Sequence, residues 1–205
     1  MRRSRQAGVA RSTGLCLALC AIVNMACAVS PLPVEGFPAT CLTDKTVTCD
    51  AAGPLNAFGD RLRGQCTWYV YGRIVELARS GCLDPSAEKL VHDAFGGKSG
   101  RHATNWPKFI GGTWHDTNEA PLPRDLRRPG MIACWQGGHY GHVGFVEEVS
   151  ADRKRYRLSH FNFYATEAYD SRWYDFRSED GRGQQDRLLG RHPSFFPLPL
   201  PSSAS

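Results

Sequence analysis

The apolar positions divide the chain into stretches of different character. Residues 15–23 are continuously apolar, residues 29–55 show neither a two-residue nor a helical period, and both periods appear from Asn56 to about Pro197. A helix is predicted over Cys66–Arg79, because Tyr71, Ile74, Val75 and Ala78 fall on one face and Gly81 stands just past its end. A second helix is expected to start at Asp84 as N-cap, with Pro85 in its first turn, and to stop at Gly96-Gly97. Strand patterns follow at Met131–Trp135, His142–Val149, Tyr156–Phe163 and Arg172–Phe176, with Asp152-Arg153-Lys154 as a hairpin tip between the middle two. Helices first and strands afterwards give an α+β domain. The residues from Pro193 to Ser205 hold Pro197, Pro199 and Pro201 and are expected to form an extended, poorly packed tail. The organisation read from this pattern is a leader over 1–28, an irregular segment over 29–55, one folded unit over 56–197 and a tail over 198–205. There is no internal repeat.

The leader changes the meaning of the charge. The 205 residues carry +5, but Arg2, Arg3, Arg5 and Arg11 lie in the first 28 residues, which contain no acid; beyond them 21 basic face 20 acidic residues, a net +1. A polycationic nucleic-acid binder is therefore disfavoured, since phosphate neutralisation needs clustered Lys and Arg. Arginines, an apolar run and Ala26-Cys27-Ala28 make the three parts of an export signal with cleavage near Ala28. The apolar run is about half the roughly 20 residues that a transmembrane helix needs. The expected location is the periplasm or the extracellular space.

Three of the eight cysteines lie in that leader, which leaves Cys41, Cys49, Cys66, Cys82 and Cys134. In an oxidising compartment four can pair in three ways and one is left over. A Cys41–Cys49 pairing is the expected one, and Cys134 in a core strand is expected to be a buried thiol.

Cys66 follows Gly64-Gln65 and opens the first helix. Unpaired N–H groups and the positive end of the helix dipole favour a thiolate there, although a nearby imidazolium is needed to ionise it fully. His142, in Gly141-His142-Val143, begins a strand after a glycine-rich turn and can face a cleft. Period two places Tyr156, Leu158, His160 and Asn162 on one strand face, so His160 or Asn162 can orient the His142 ring. Gln65 is a candidate second oxyanion donor beside the Cys66 N–H. A zinc site from His139, His142, His160 and Cys134 lacks a helical spacing and a carboxylate motif, so no metal or cofactor is expected. The five tryptophans are read as core and cleft wall rather than a glycan groove.

Gly64-Gln65-Cys66-Thr67-Trp68-Tyr69-Val70, Arg128-Pro129-Gly130-Met131-Ile132-Ala133-Cys134-Trp135, Gly141-His142-Val143 and Ser159-His160-Phe161-Asn162-Phe163 resemble, in order, the motifs of the CHAP family. These are cysteine, histidine-dependent amidohydrolases and peptidases, mostly bacterial cell-wall hydrolases. The resemblance implies a papain-like α+β fold, with N-terminal helices carrying the nucleophile packed on an antiparallel sheet. It carries the nucleophile onto Cys66 and the base onto His142, and matches Asn162 to the family's asparagine. The family's usual third residue is a glutamate, and His160 stands in its place; the related NlpC-type wall peptidases use a histidine in that role.

The resulting expectation is an exported, monomeric cysteine hydrolase that cleaves amide bonds in the stem peptides of peptidoglycan, as amidase or endopeptidase. A proteinaceous inhibitor or immunity protein is an open partner, and nucleic acid is not expected. Two alternatives stay open: hydrolysis of another small amide, as in glutathionylspermidine amidases, and a catalytically degenerate binding module.

Overall fold

In the computed structural model, residues 34–36, 58, 62–163, 169–177 and 192–202 are described. The leader, the Cys41–Cys49 pairing and most of the segment over 29–55 fall outside them.

Helix α1 spans Cys66–Arg79. Gly64 in the left-handed region and Gln65 in extended conformation turn the chain into it, and Ser80 with left-handed Gly81 turns the chain out. Eleven of its fourteen residues are buried, far more than one stripe, because α2 (Ser86–Phe95) covers it on one side and the sheet on another. The N-cap of α2 is Pro85, one residue later than expected, and Asp84 just before it still serves the helix start, its Oδ1 accepting the Ser86 N–H at 2.9 Å. A short α3 (Trp106–Ile110) follows a 3-10 turn at Ala103–Asn105 and places Trp106 in the core against Phe95 and Phe58.

The strands among the described residues are β1 (Val34–Gly36), β2 (His115–Asp116), β3 (Met131–Trp135), β4 (His142–Ser150), β5 (Arg155–Phe161), β6 (Tyr169–Asp175) and β7 (Ser194–Pro197). They form one antiparallel sheet in the order β2-β7-β3-β4-β5-β6, with β1 on the far end of β4. The fold is α+β, with helices on one face of an antiparallel sheet. The helix-side core includes Ile132, Cys134, Val143 and Phe145. The opposite face buries Trp135, Val146, Leu158, Tyr174 and Phe195 in a second cluster. Both faces are thus covered, which explains why β3 reads as a continuous apolar run rather than alternating.

A buried ion pair fastens α1 to β4. Arg73 donates from Nε to Glu147 Oε1 at 3.0 Å and from Nη2 to Oε2 at 2.9 Å, and Ser159 Oγ donates to Oε1 at 2.6 Å. A third donor, Arg73 Nη1, reaches Glu76 at 2.6 Å. The two main side chains are only 4% and 5% exposed, so the bidentate geometry is what offsets their desolvation.

Three sequence expectations are corrected. Strand β5 ends at Phe161, not Phe163, because Asn162 takes a left-handed conformation (φ 54°) that breaks the alternation. A strand, β1, lies in the stretch without strand period. From Pro193 to Leu198 the chain is extended but well packed: β7 sits between β2 and β3, Phe195 meets Tyr156 edge-on and Phe176 at a tilt, and Leu198 is fully buried, while residues 200–202 are exposed. The prolines suggested a loose tail, but Pro197 occupies the last position of the strand, where a missing N–H is tolerated.

Candidate active site

Cys66 is the first residue of α1, where the backbone N–H groups have no intrahelical acceptor. Gln65, the N-cap, makes no side-chain cap, so its amide is free for other work. His142 is the first residue of β4, paired with Trp135 at the end of β3. Between them the chain turns through Gly141, at φ 67°. A Cβ there would lie 2.5 Å from the Trp135 carbonyl oxygen and 2.9 Å from the Thr104 nitrogen. Only glycine lets this turn close against the Ala103–Asn105 segment, whose Thr104 N–H donates to the Tyr140 carbonyl at 3.1 Å.

The two elements open onto one cavity of about 520 Å³. Cys66, His142, Gln65 and Asn162 line it, the Arg101–Ala103 segment makes another wall, and Tyr140, 59% exposed, stands at its mouth. Asn162 Nδ2 donates to Gln65 Oε1 at 2.6 Å, which ties the end of β5 to the start of α1. That contact uses the Gln65 oxygen and leaves its –NH2 as a donor.

Behind His142, away from the cavity, stands His160. His142 Nε2 and His160 Nδ1 are 2.9 Å apart, and both residues are buried. Trp135 and Phe163 enclose the His142 ring, with centroids at 5.7 and 4.2 Å. On the far side of His160, Nε2 lies 3.3 Å from the Tyr174 hydroxyl and 3.6 Å from Asp170 Oδ2. Arg172 Nε is 2.6 Å from that same oxygen.

Burial dominates the protonation of this cluster. It pushes the Cys66 thiol up to about 11, against the pull of backbone hydrogen bonds from Val143, Thr67 and Cys66 itself. It drives His142 well below 6.5, helped by the neighbouring His160. His160 falls to about 4, with desolvation outweighing the attraction of Asp170 and Arg172 adding to the fall. The resting pair is therefore thiol and neutral imidazole, not the thiolate–imidazolium pair that a helix terminus suggested: the dipole is weaker than the loss of water. His142 is ready to act as a base.

The sequence profile of the CHAP domain matches residues 57–162, half of the chain, and contains Cys66, His142 and His160. The chain belongs to the CHAP domain family. That family is one of cysteine, histidine-dependent amidohydrolases and peptidases. Among solved structures, the chain is similar to N-acetylmuramoyl-L-alanine amidase from Staphylococcus aureus, with 20% identity and a TM-score of 0.38 over 66% of this chain and 31% of that one. It is also similar to Ly7917, with 16% identity and a TM-score of 0.36 over 76% and 63% of the respective chains. The chain thus spans about a third and under two thirds of the lengths of these two structures. No curated protein matches the sequence.

In this CHAP chain Cys66, Gln65, His142 and Asn162 come together at the cavity, and His160 joins them through His142. Cys134 is a free thiol in the core, donating to the Ala103 carbonyl at 3.2 Å, and Cys82 is disulfide-bonded. None of the five tryptophans lines the cavity. Sequence reasoning missed Asp170. The signal available was register: on a hairpin with β5, the residue facing His160 is Asp170.

Proposed function

We propose that the chain is an exported cysteine amidase or endopeptidase that hydrolyses amide bonds in the peptide part of peptidoglycan. The observation that carries this is the opening of Cys66, at the mouth of α1, and His142, at the start of β4, onto one cavity, with His160 behind the imidazole. Membership of the CHAP family and the export signal in the sequence support the substrate and the location. No helix among the described residues is long and apolar enough to cross a membrane.

In this reading His142 Nδ1 takes the proton from the Cys66 thiol as sulfur attacks the amide carbonyl carbon. The carbonyl electron pair moves to oxygen, where the Cys66 N–H and the Gln65 –NH2 receive it. Collapse breaks the C–N bond, and the imidazolium gives its proton to the leaving amine. Water then attacks the thioester, losing a proton to His142. The acid departs and the thiol is restored. His160, with Asn162 steadying Gln65, holds the geometry.

Incubating purified peptidoglycan with the protein and with Cys66→Ser, then identifying new amino termini, tests this. The wild type is expected to release termini that the variant does not. Release at muramic acid identifies an amidase, and cleavage within stems or bridges an endopeptidase. Equal, background release by both overturns the proposal.

A further inference from the structure

We propose that Asp170 is a positioning residue that fixes, through His160, which nitrogen of His142 is bare and faces Cys66. The inference rests on the reading of Cys66 and His142 as the reacting pair.

The contact between His142 Nε2 and His160 Nδ1, at 2.9 Å, holds one proton, and either ring can own it. If His160 owns it, His142 accepts at Nε2, carries its hydrogen on Nδ1 and cannot take the Cys66 proton. If His142 owns it, Nδ1 is bare and the ring is a base. Nothing within the two rings decides between these states.

The far side of His160 does. Its Nε2 faces Tyr174 Oη at 3.3 Å and Asp170 Oδ2 at 3.6 Å. A phenol can donate or accept, so Tyr174 is indifferent; a carboxylate can only accept. Asp170 Oδ2 is sealed from solvent and has no aligned hydrogen bond, since Arg172 Nε meets it as an ion pair. That oxygen therefore favours a hydrogen on His160 Nε2. With Nε2 protonated, Nδ1 is bare and accepts from His142 Nε2–H, and His142 Nδ1 is left as the base.

This arrangement restores what the glutamate-to-histidine departure removed. A neutral imidazole next to His142 cannot stabilise imidazolium as a carboxylate does, but here a carboxylate stands one ring further back. Trp135 and Phe163 pack the His142 ring and oppose a flip that would exchange its nitrogens. Among the described residues, the titratable and charged groups facing His160 are His142 from β4 and Asp170, Arg172 and Tyr174 from β6.

Nitrogen-resolved NMR of the histidine rings in the wild type gives a direct test. Both His142 and His160 are expected as the Nε2–H form; His160 protonated on Nδ1 overturns the proposal without any variant. In Asp170→Asn, whose amide can donate, both rings are expected to change to Nδ1–H. Alkylation of Cys66 by iodoacetamide at pH 7 is expected to slow by about tenfold or more, and Asp170→Glu to recover part of the rate. A folded Asp170→Asn with unchanged ring forms and rate overturns the proposal. Because alkylation needs no substrate, a wild type that leaves peptidoglycan intact but shows these changes defeats the function proposed above and leaves Asp170 in place.

Discussion

At the scale of single residues, protonation is the result with the most consequence. Cys66 at a helix start invites the reading of a preformed thiolate, yet desolvation holds the thiol up near 11 and keeps His142 neutral well below 6.5. The competent form, thiol plus bare imidazole, then persists between those limits. We expect kcat/KM to stay nearly flat from pH 6.5 to about 9, with the acid limb below 6.5 rather than near it. A bell centred on neutral pH in a rate profile would contradict this. The residue types that carry the site are plain in the sequence, because Cys66 and His142 sit in glycine-flanked motifs at element starts. Asn162 was read as a strand neighbour of His160; its left-handed backbone instead turns its amide to Gln65, which no alternation rule reveals.

Among the elements, the joint between α1 and β4 decides whether the nucleophile and base meet. Their reactive residues lie at the ends of these elements, and the Arg73–Glu147 pair fixes their relative placement. Glu147→Gln removes the carboxylate that Arg73 engages through both Nε and Nη2 and leaves the guanidinium with the Glu76 carboxylate at Nη1, so a loss of about 3 kcal/mol, the low end for a broken buried pair, is expected in urea unfolding. A loss under 1 kcal/mol would show that packing alone makes the joint. Helix and strand bounds were legible to within a residue or two for α1, α2, β3 and β4, where long periodic stretches meet glycine or proline punctuation. Glu147 was legible only as an acid near the end of a strand. Alternation with Val143 and Phe145 puts it on the helix side, but what makes a buried carboxylate tolerable there is an arginine 74 residues earlier, which no local pattern reveals.

For the whole molecule, two imidazoles stored uncharged in the interior make stability depend on pH. His142 and His160 bind protons in the unfolded chain near 6.5 but resist them when folded, His160 down to about 4. The unfolded state thus holds more protons in this window, and stability rises with pH through it. We expect full stability above about pH 6.5 and a progressive decline from there toward pH 4, by up to about 1.4 kcal/mol per pH unit for each ring. Urea midpoints measured across pH 4–8 check this, and His160→Gln should flatten the slope. The α+β class followed from the order of patterns, but the place of the C-terminal residues did not. Pairing partners far apart in sequence leave no local trace, and the prolines near Phe195 masked its burial.

That late strand sets an order of events. β3, complete at Trp135, cannot gain its second neighbour until Ser194–Pro197 have been made, about sixty residues later. During synthesis, the row of backbone groups along one border of β3 stays open to water or to a chaperone. The sheet that carries His142 is therefore finished only after Ser194–Pro197 arrive, and hydrolytic competence waits on that strand rather than on the completion of β3.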